Sequence, residues 1–198
     1  MKKWLLPTLL IIFFWFMCTA PSRMAIGAAY HSTSNYDRAY TFDVKHNNYR
    51  SECILYISVP SSLYDYYHSK SHSVNGDRDY SKFVTPDAVK TIAETMRSNI
   101  RNETNSDEEF ANNVLAFVHQ IPYSVSRSKY PVETIVDNSG DCDVLSFLAA
   151  SIMKAGNLDV VLFIYRDLHP SHMNIGVKLP CTPFYGGSET EATGFDPP

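Results

Sequence analysis

Tyr40-Thr41-Phe42-Asp43-Val44 alternates apolar and polar side chains, the period of a half-buried strand. A second strand-like run, Cys53 to Val59, stops at Pro60, and the turn-like His46-Asn47-Asn48 lies between the two. Together they predict a β-hairpin. Residues 30–38 ahead of it are polar and read as loose chain. Tyr64-Asp65-Tyr66-Tyr67-His68 is aromatic and reads as packing surface, and the serine-rich stretch 69–80 contains the turn signal Asn75-Gly76. From residue 85 the period becomes helical. Thr85 is a candidate cap, Pro86 suits the first helical position, and Val89, Ile92, Ala93, Met96 and Ile100 follow on one face. Ser106-Asp107-Glu108-Glu109 has the form of a capping box. Phe110, Val114, Phe117, Val118 and Ile121 make the apolar face of a second helix, which Pro122 ends. Residues 123–137 read as an extended connection, with Pro131 disfavouring helix at Tyr130.

A third helix is predicted from about Asp141 to Ala155. Val144, Leu145, Leu148, Ala149, Ile152 and Met153 cover much of its surface, which makes it central, and Gly156-Asn157 ends it. Val160 to Tyr165 is a continuous apolar, β-rich run, as in a fully buried strand. The last strand runs from His172 to about Leu179, with Met173, Ile175 and Val177 on one face and His172, Asn174 and Gly176 on the other. Residues 180–198 are loop-like. The pattern predicts an α+β fold in which helices feed an antiparallel sheet. Residues 80–198 form its core domain, and residues 30–79 form a hairpin and aromatic linker in front.

The first 29 residues belong to another class. Met1-Lys2-Lys3 is a positive n-region, Trp4 to Met17 is nearly all apolar, and small residues follow at Gly27, Ala28 and Ala29. This is a signal peptide cut near Ala29 or an uncleaved membrane anchor, since about 17 apolar residues is the short limit of a spanning helix. Phe16 and Met17 before Cys18 argue against a lipoprotein site, which wants small residues there. Either way the remaining chain is expected outside the cytoplasm, with Lys2 and Lys3 left inside. The net charge of −4, with no basic stripe, excludes a nucleic-acid footprint. A membrane partner enters only through the N-terminal segment. The oligomeric state is not legible.

Export sets the cysteine arithmetic. Cys53, Cys142 and Cys181 lie past residue 29, and an odd number leaves at least one unpaired unless chains pair with each other. A Cys53–Cys181 pair with Cys142 free and three free thiols both remain open. No close Cys/His pair of zinc-site spacing exists, and Asp107-Glu108-Glu109 is better explained as helix N-terminal charge than as a calcium site. No metal or cofactor is expected. Asn102-Glu103-Thr104 fits a glycosylation acceptor.

The chemistry-bearing stretch is Asn138-Ser139-Gly140-Asp141-Cys142-Asp143. A cysteine in a helix is usually an inert small hydrophobe. Three features set Cys142 apart. Gly140 allows a sharp turn and close backbone approach. The helix start supplies N–H groups and a partial positive charge that favour a thiolate and could hold an oxyanion. His172 lies downstream on a separate element, as nucleophile and base require. Asp141 and Asp143 work against the thiolate, so a thiolate–imidazolium pair must overcome them. His169, in Asp167-Leu168-His169-Pro170, reads as a solvated loop histidine. Gln120, at the end of the second helix, is a third polar candidate whose amide could reach an oxyanion; on physics alone it reads as an exposed C-terminal glutamine.

Four blocks in this order carry a resemblance: Phe117-Val118-His119-Gln120-Ile121-Pro122-Tyr123, Tyr130-Pro131-Val132-Glu133-Thr134-Ile135-Val136, Gly140-Asp141-Cys142-Asp143, and His172-Met173-Asn174-Ile175-Gly176-Val177. Over roughly residues 80–180 the chain resembles the transglutaminase-like superfamily, closest to its exported archaeal and bacterial branch. The resemblance implies a papain-like core, with a cysteine-bearing helix packed on a sheet that carries a histidine and an acid. It implies Cys142 as nucleophile, His172 as general base and Gln120 as an oxyanion partner. Members cleave or transfer acyl groups at peptide and side-chain amides through a thioester, so a peptide or protein substrate is expected, with peptidase slightly preferred over cross-linking. The chain departs from the family at the third member. Glu189, Glu191 and Asp196 are the only acids after His172, and all lie in the loop-like tail. Either one of them serves or the chain stops before that acid. The rival readings are an exported binding module that has lost turnover and a surface-structure protein holding Cys142 in a disulfide.

Overall fold

A computed structural model of the chain describes residues 34–45, 50–100, 106–167 and 171–180, all within one compact unit of residues 33–198. The N-terminal apolar segment, the expected turn at His46-Asn47-Asn48, the acceptor Asn102, His169, Cys181 and the three tail acids lie outside the described residues. Among the described residues no helix is long and apolar enough to cross a membrane.

The fold is α+β with two small antiparallel sheets. The first is the hairpin of β1 (Asn35–Lys45) and β2 (Arg50–Pro60), paired with Tyr40 opposite Leu55 and Phe42 opposite Cys53. Its alternation turns Tyr40, Phe42, Val44, Leu55, Ile57 and Val59 inward and leaves Ile54 and Tyr56 exposed. Residues 35–38, expected loose, extend β1: Arg38 pairs with Ile57 and its guanidinium donates to the Val136 carbonyl. Cross-strand bonding orders polar residues that carry no apolar signal of their own. The aromatic stretch that follows is a helix, α1 (Ser61–His68), and residues 77–83 of the linker form a 3₁₀ turn.

The helical segments lie close to expectation. Pro86–Val89 is a 3₁₀ turn leading into α2 (Lys90–Ser98), with Val89, Ile92, Ala93 and Met96 buried. The next helix, α3 (Ser106–Val118), contains Ser106 as its first residue rather than as a cap, and Glu109 is fully buried. The hairpin packs on α3, with the Tyr40 ring edge-on to Phe117 at 4.9 Å.

Residues 131–137, expected to be extended, form α4 (Pro131–Asp137). Proline breaks a helix from within but fits its first position, and extended backbone is what a cap residue needs. Tyr130 supplies that backbone (φ −76°, ψ 152°), and the Glu133 carboxylate accepts from the Tyr130 N–H at 3.0 Å. The fifth helix, α5 (Cys142–Ala155), packs against α2, α3, α4 and the second sheet, so it is central as its apolar surface requires. Gly156 lets it end tightly, since a Cβ there would stand 2.2 Å from Phe110. The second sheet pairs β3 (Asp159–Tyr165) with β4 (His172–Lys178). Only Val160, Val161 and Leu162 of β3 are buried; Tyr165 at its end is exposed.

Candidate functional site

Cys142 is the first residue of α5 and is half-buried with a free thiol. Gly140 is forced by the approach to that helix: a Cβ would lie 2.8 Å from Val144 Cγ1. Its backbone is stitched to residues 122–124. Gly140 N–H donates to Pro122 O at 3.2 Å, and Ser124 N–H donates to Gly140 O at 2.8 Å. The extended segment after Pro122 therefore runs beside the turn that presents the cysteine, with Tyr123 and Val125 exposed.

Asp141 holds the cap position of α5, yet its side chain does not cap the helix. Its Oδ2 accepts from the Ser126 N–H at 3.0 Å, while Oδ1 is buried and has no donor. On the other side of the cysteine, Asp143 accepts from the Val144 N–H at 3.0 Å and from the Ser128 hydroxyl at 3.4 Å. Burial, then the neighbouring Asp141 carboxyl, push the Asp143 carboxyl up to about 7. Tyr80 closes the surroundings. Its ring packs on Phe147 at 5.8 Å, and its hydroxyl is pushed up by burial and then by the negative charges of Asp143 and Cys142. Tyr80 lies in the serine-rich linker, where no local pattern marks it.

His172 is the first residue of β4 and is exposed. It sits opposite Tyr165, whose ring lies 6.3 Å away at 28°. Its strand is joined to the start of α5 through Ser146. That hydroxyl lies 2.6 Å from the Cys142 carbonyl oxygen and 3.2 Å from the Met173 carbonyl oxygen, and its one hydrogen serves both. The backbone of the cysteine and of the residue after His172 thus approach within about 6 Å of each other across one hydroxyl. Among the described residues no carboxylate bonds the His172 ring. Gln120 is exposed just beyond α3, and its amide Nε2 donates to Ala116 O at 3.1 Å. The structure therefore joins the elements bearing Cys142 and His172, while Gln120 turns one amide hydrogen back onto its own helix.

Cys53 also carries a free thiol, and Cys181 lies outside the described residues. Burial pushes that thiol up. It lines a cavity of about 380 Å³ between the hairpin and Met96 of α2 and Asn113 of α3, away from Cys142. Among the described residues no group of three His, Cys, Asp or Glu side chains could hold a metal ion.

A second charged cluster was not legible in the sequence. Glu133 of α4 is 1% exposed, yet its carboxylate meets His68 Nδ1 at 2.9 Å and His72 Nε2 at 2.7 Å, besides the Tyr130 N–H. Arg127 approaches it at 3.7 Å. Burial pushes the Glu133 carboxyl up, but the bonds from His72, Tyr130 and His68 prevail and hold it below the usual carboxylate range.

No protein-family model matches the chain, and no curated protein matches it. The crystal structure of a putative cysteine protease from Cytophaga hutchinsonii is similar over 74% of this chain, at 13% identity and a TM-score of 0.37. The match spans 61% of that protein's structure, less than two thirds of its length. At that identity and score the likeness fixes neither family nor activity.

Proposed function

We propose that the chain is an exported transglutaminase-like cysteine hydrolase, a peptidase that opens peptide or side-chain amides through a thioester on Cys142. His172 takes the thiol proton, and the thiolate attacks the carbonyl carbon. The Cys142 N–H at the start of α5 and the second amide hydrogen of Gln120 receive the oxyanion. The imidazolium then protonates the leaving amine, and water, deprotonated by His172, releases the acid. Lys2, Lys3 and the apolar segment that follows them support export, with the segment either cleaved or kept as an anchor.

The observation that carries this reading is the Ser146 hydroxyl, which holds the Cys142 and Met173 carbonyls together and so brings the start of the cysteine helix to the start of the histidine strand. A second reading, a binding module of this fold without turnover, draws on His172, whose ring no described carboxylate orients. Loss of an orienting acid costs about 10⁴-fold in rate in the serine-protease triad. Alkylation separates the two. At pH 6, iodoacetamide is expected to label Cys142 at least about tenfold faster than Cys53, because only a paired thiolate reacts well there. Equal, slow labelling of both would remove the hydrolase reading and leave the binding module.

A further inference from the structure

The strip of chain beside the cysteine turn uses only one of its two edges. Gly140 N–H donates to Pro122 O at 3.2 Å, Ser124 N–H donates to Gly140 O at 2.8 Å, and Ser126 N–H donates to Asp141 Oδ2 at 3.0 Å. Residues 122, 124 and 126 thus turn main-chain groups toward Gly140 and Asp141. In extended chain the N–H and C=O of successive residues point to opposite edges. Tyr123 and Val125 therefore aim theirs away from that turn, and no described residue bonds them.

Their side chains are bare as well. Tyr123 is 66% and Val125 82% exposed, and the two share one face because they stand two residues apart. Residues 122–126, Pro-Tyr-Ser-Val-Ser, carry no charge. Exposed strand edges are ordinarily guarded by lysine, by other charges or by proline. Pro122 does not guard this one, since its nitrogen belongs to the bonded edge. The nearby cations are engaged elsewhere, Arg127 with Glu133 at 3.7 Å and Lys129 with Asp137 at 2.8 Å. An uncharged edge that offers both donors and acceptors beside apolar side chains matches the main chain of an extended peptide. A helix satisfies its own main chain and has no use for it, and an anion would meet carbonyls as well as N–H groups.

We propose that residues 123–125 are a docking edge on which an extended peptide substrate pairs as an added strand, with apolar side chains at alternate positions packed against Tyr123 and Val125. The proposal deepens the hydrolase reading and rests on Cys142 as the nucleophile of the same site. An added strand lies about 4.8 Å beyond the strip, and the strip lies about as far from Gly140, with which Tyr123 is bridged. The docked peptide is therefore about 10 Å from the turn, a gap that about three further residues of extended chain can cross. Docking and crossing together need about six residues, so the substrates are peptide segments rather than dipeptides or tripeptides.

The test uses the full chain as Cys142→Ala, which cannot turn over, with ¹⁵N-labelled main chain, and a blocked octapeptide of alternating valine and threonine. Titration is expected to shift the Tyr123 and Val125 amides and to slow their hydrogen exchange at least about tenfold, as a newly bonded N–H requires. Val125→Pro removes one docking donor and leaves the Ser124 and Ser126 bonds in place; it is expected to weaken octapeptide binding about tenfold. Should that variant fail to fold, the amide map of the chain with Val125 intact decides. No binding at millimolar peptide, or shifts that leave Tyr123 and Val125 unmoved, would overturn the docking edge. So would amides already protected without peptide, since another part of the chain would then cover the edge. Cleavage of the octapeptide by the unchanged chain is followed in parallel. Docking without cleavage would remove the hydrolase reading and keep the peptide-binding edge; cleavage with both amides unmoved would do the reverse.

Discussion

Glu133 and Asp143 are both carboxyl groups drawn in from solvent, and their surroundings shift them in opposite directions. Around Glu133 everything within reach is a donor: two imidazoles, a backbone N–H and, further off, a guanidinium. The carboxylate is thereby held ionised despite near-complete burial. Asp143 is pushed up to about 7 by burial first and by the neighbouring Asp141 carboxyl second, against the Val144 N–H from which it accepts at 3.0 Å. Burial alone therefore does not decide charge; the count of donors against acceptors does. The first arrangement is a clamp that fastens α1 and the following linker to α4. The second is a poised charge beside a thiol.

The comparison breaks most easily at the clamp. Glu133→Ala leaves the Tyr130 N–H and a largely buried imidazole without an acceptor, and is expected to cost about 3 kcal/mol of stability in urea unfolding. A cost under half that would mean that water replaces the carboxylate freely. His72→Ala removes one donor and leaves Glu133 otherwise satisfied, so about 1.5 kcal/mol is expected by the same measurement.

Asp143→Asn should act in the other direction. A carboxyl whose folded value is raised binds more protons in the folded than in the unfolded state between about pH 4 and 7, so it lowers stability as pH rises through that window. The variant is therefore expected to be about 1 kcal/mol more stable than the unchanged chain at pH 8 and no more stable at pH 4. Glu133 carries the opposite sign: its contribution is full above the ordinary carboxylate range and is lost as pH falls through its lowered value. Unfolding free energies from pH 3 to 9 would show one contribution fading at the acid end and the other appearing above pH 4. The smallest effect is expected from Arg127→Ala. That guanidinium is 55% exposed at 3.7 Å from the carboxylate, and removing it should cost about 0.5 kcal/mol or less.

The sequence was most legible where one short-range period governed a whole element. The hairpin buries alternate residues, and α3 and α5 bury broad apolar surfaces that their apolar spacing marks, whereas of β4 only Met173 is buried. Short elements were harder. α4 has seven residues, nearly all buried, so it shows no amphipathic period, and Pro131 read as a barrier rather than as a first helical residue. α1 is rich in tyrosine, a modest helix former, and only Tyr67 is buried. The candidate site divides in the same way. Cys142 and His172 stand at element starts, which local signals reveal. Tyr80, and the grip of His68 and His72 on Glu133, join residues more than sixty apart in sequence, and no period or cap encodes such a meeting. Asp141 and Asp143 were visible as acids beside the cysteine, but their bonds to Ser126 and Ser128 depend on the strip 126–128 folding back along the turn.

In the proposed reaction Cys142 forms a thioester with help from His172. Rapid mixing of the chain with a p-nitrophenyl ester of a blocked peptide, followed by acid quench and mass mapping, would capture that acyl-enzyme. A burst of nitrophenol matched by an acyl group on Cys142 is expected, absent in Cys142→Ala and slowed about a hundredfold or more in His172→Ala. An acyl group spread equally over Cys53 and Cys142, or a burst that survives His172→Ala unchanged, would contradict it.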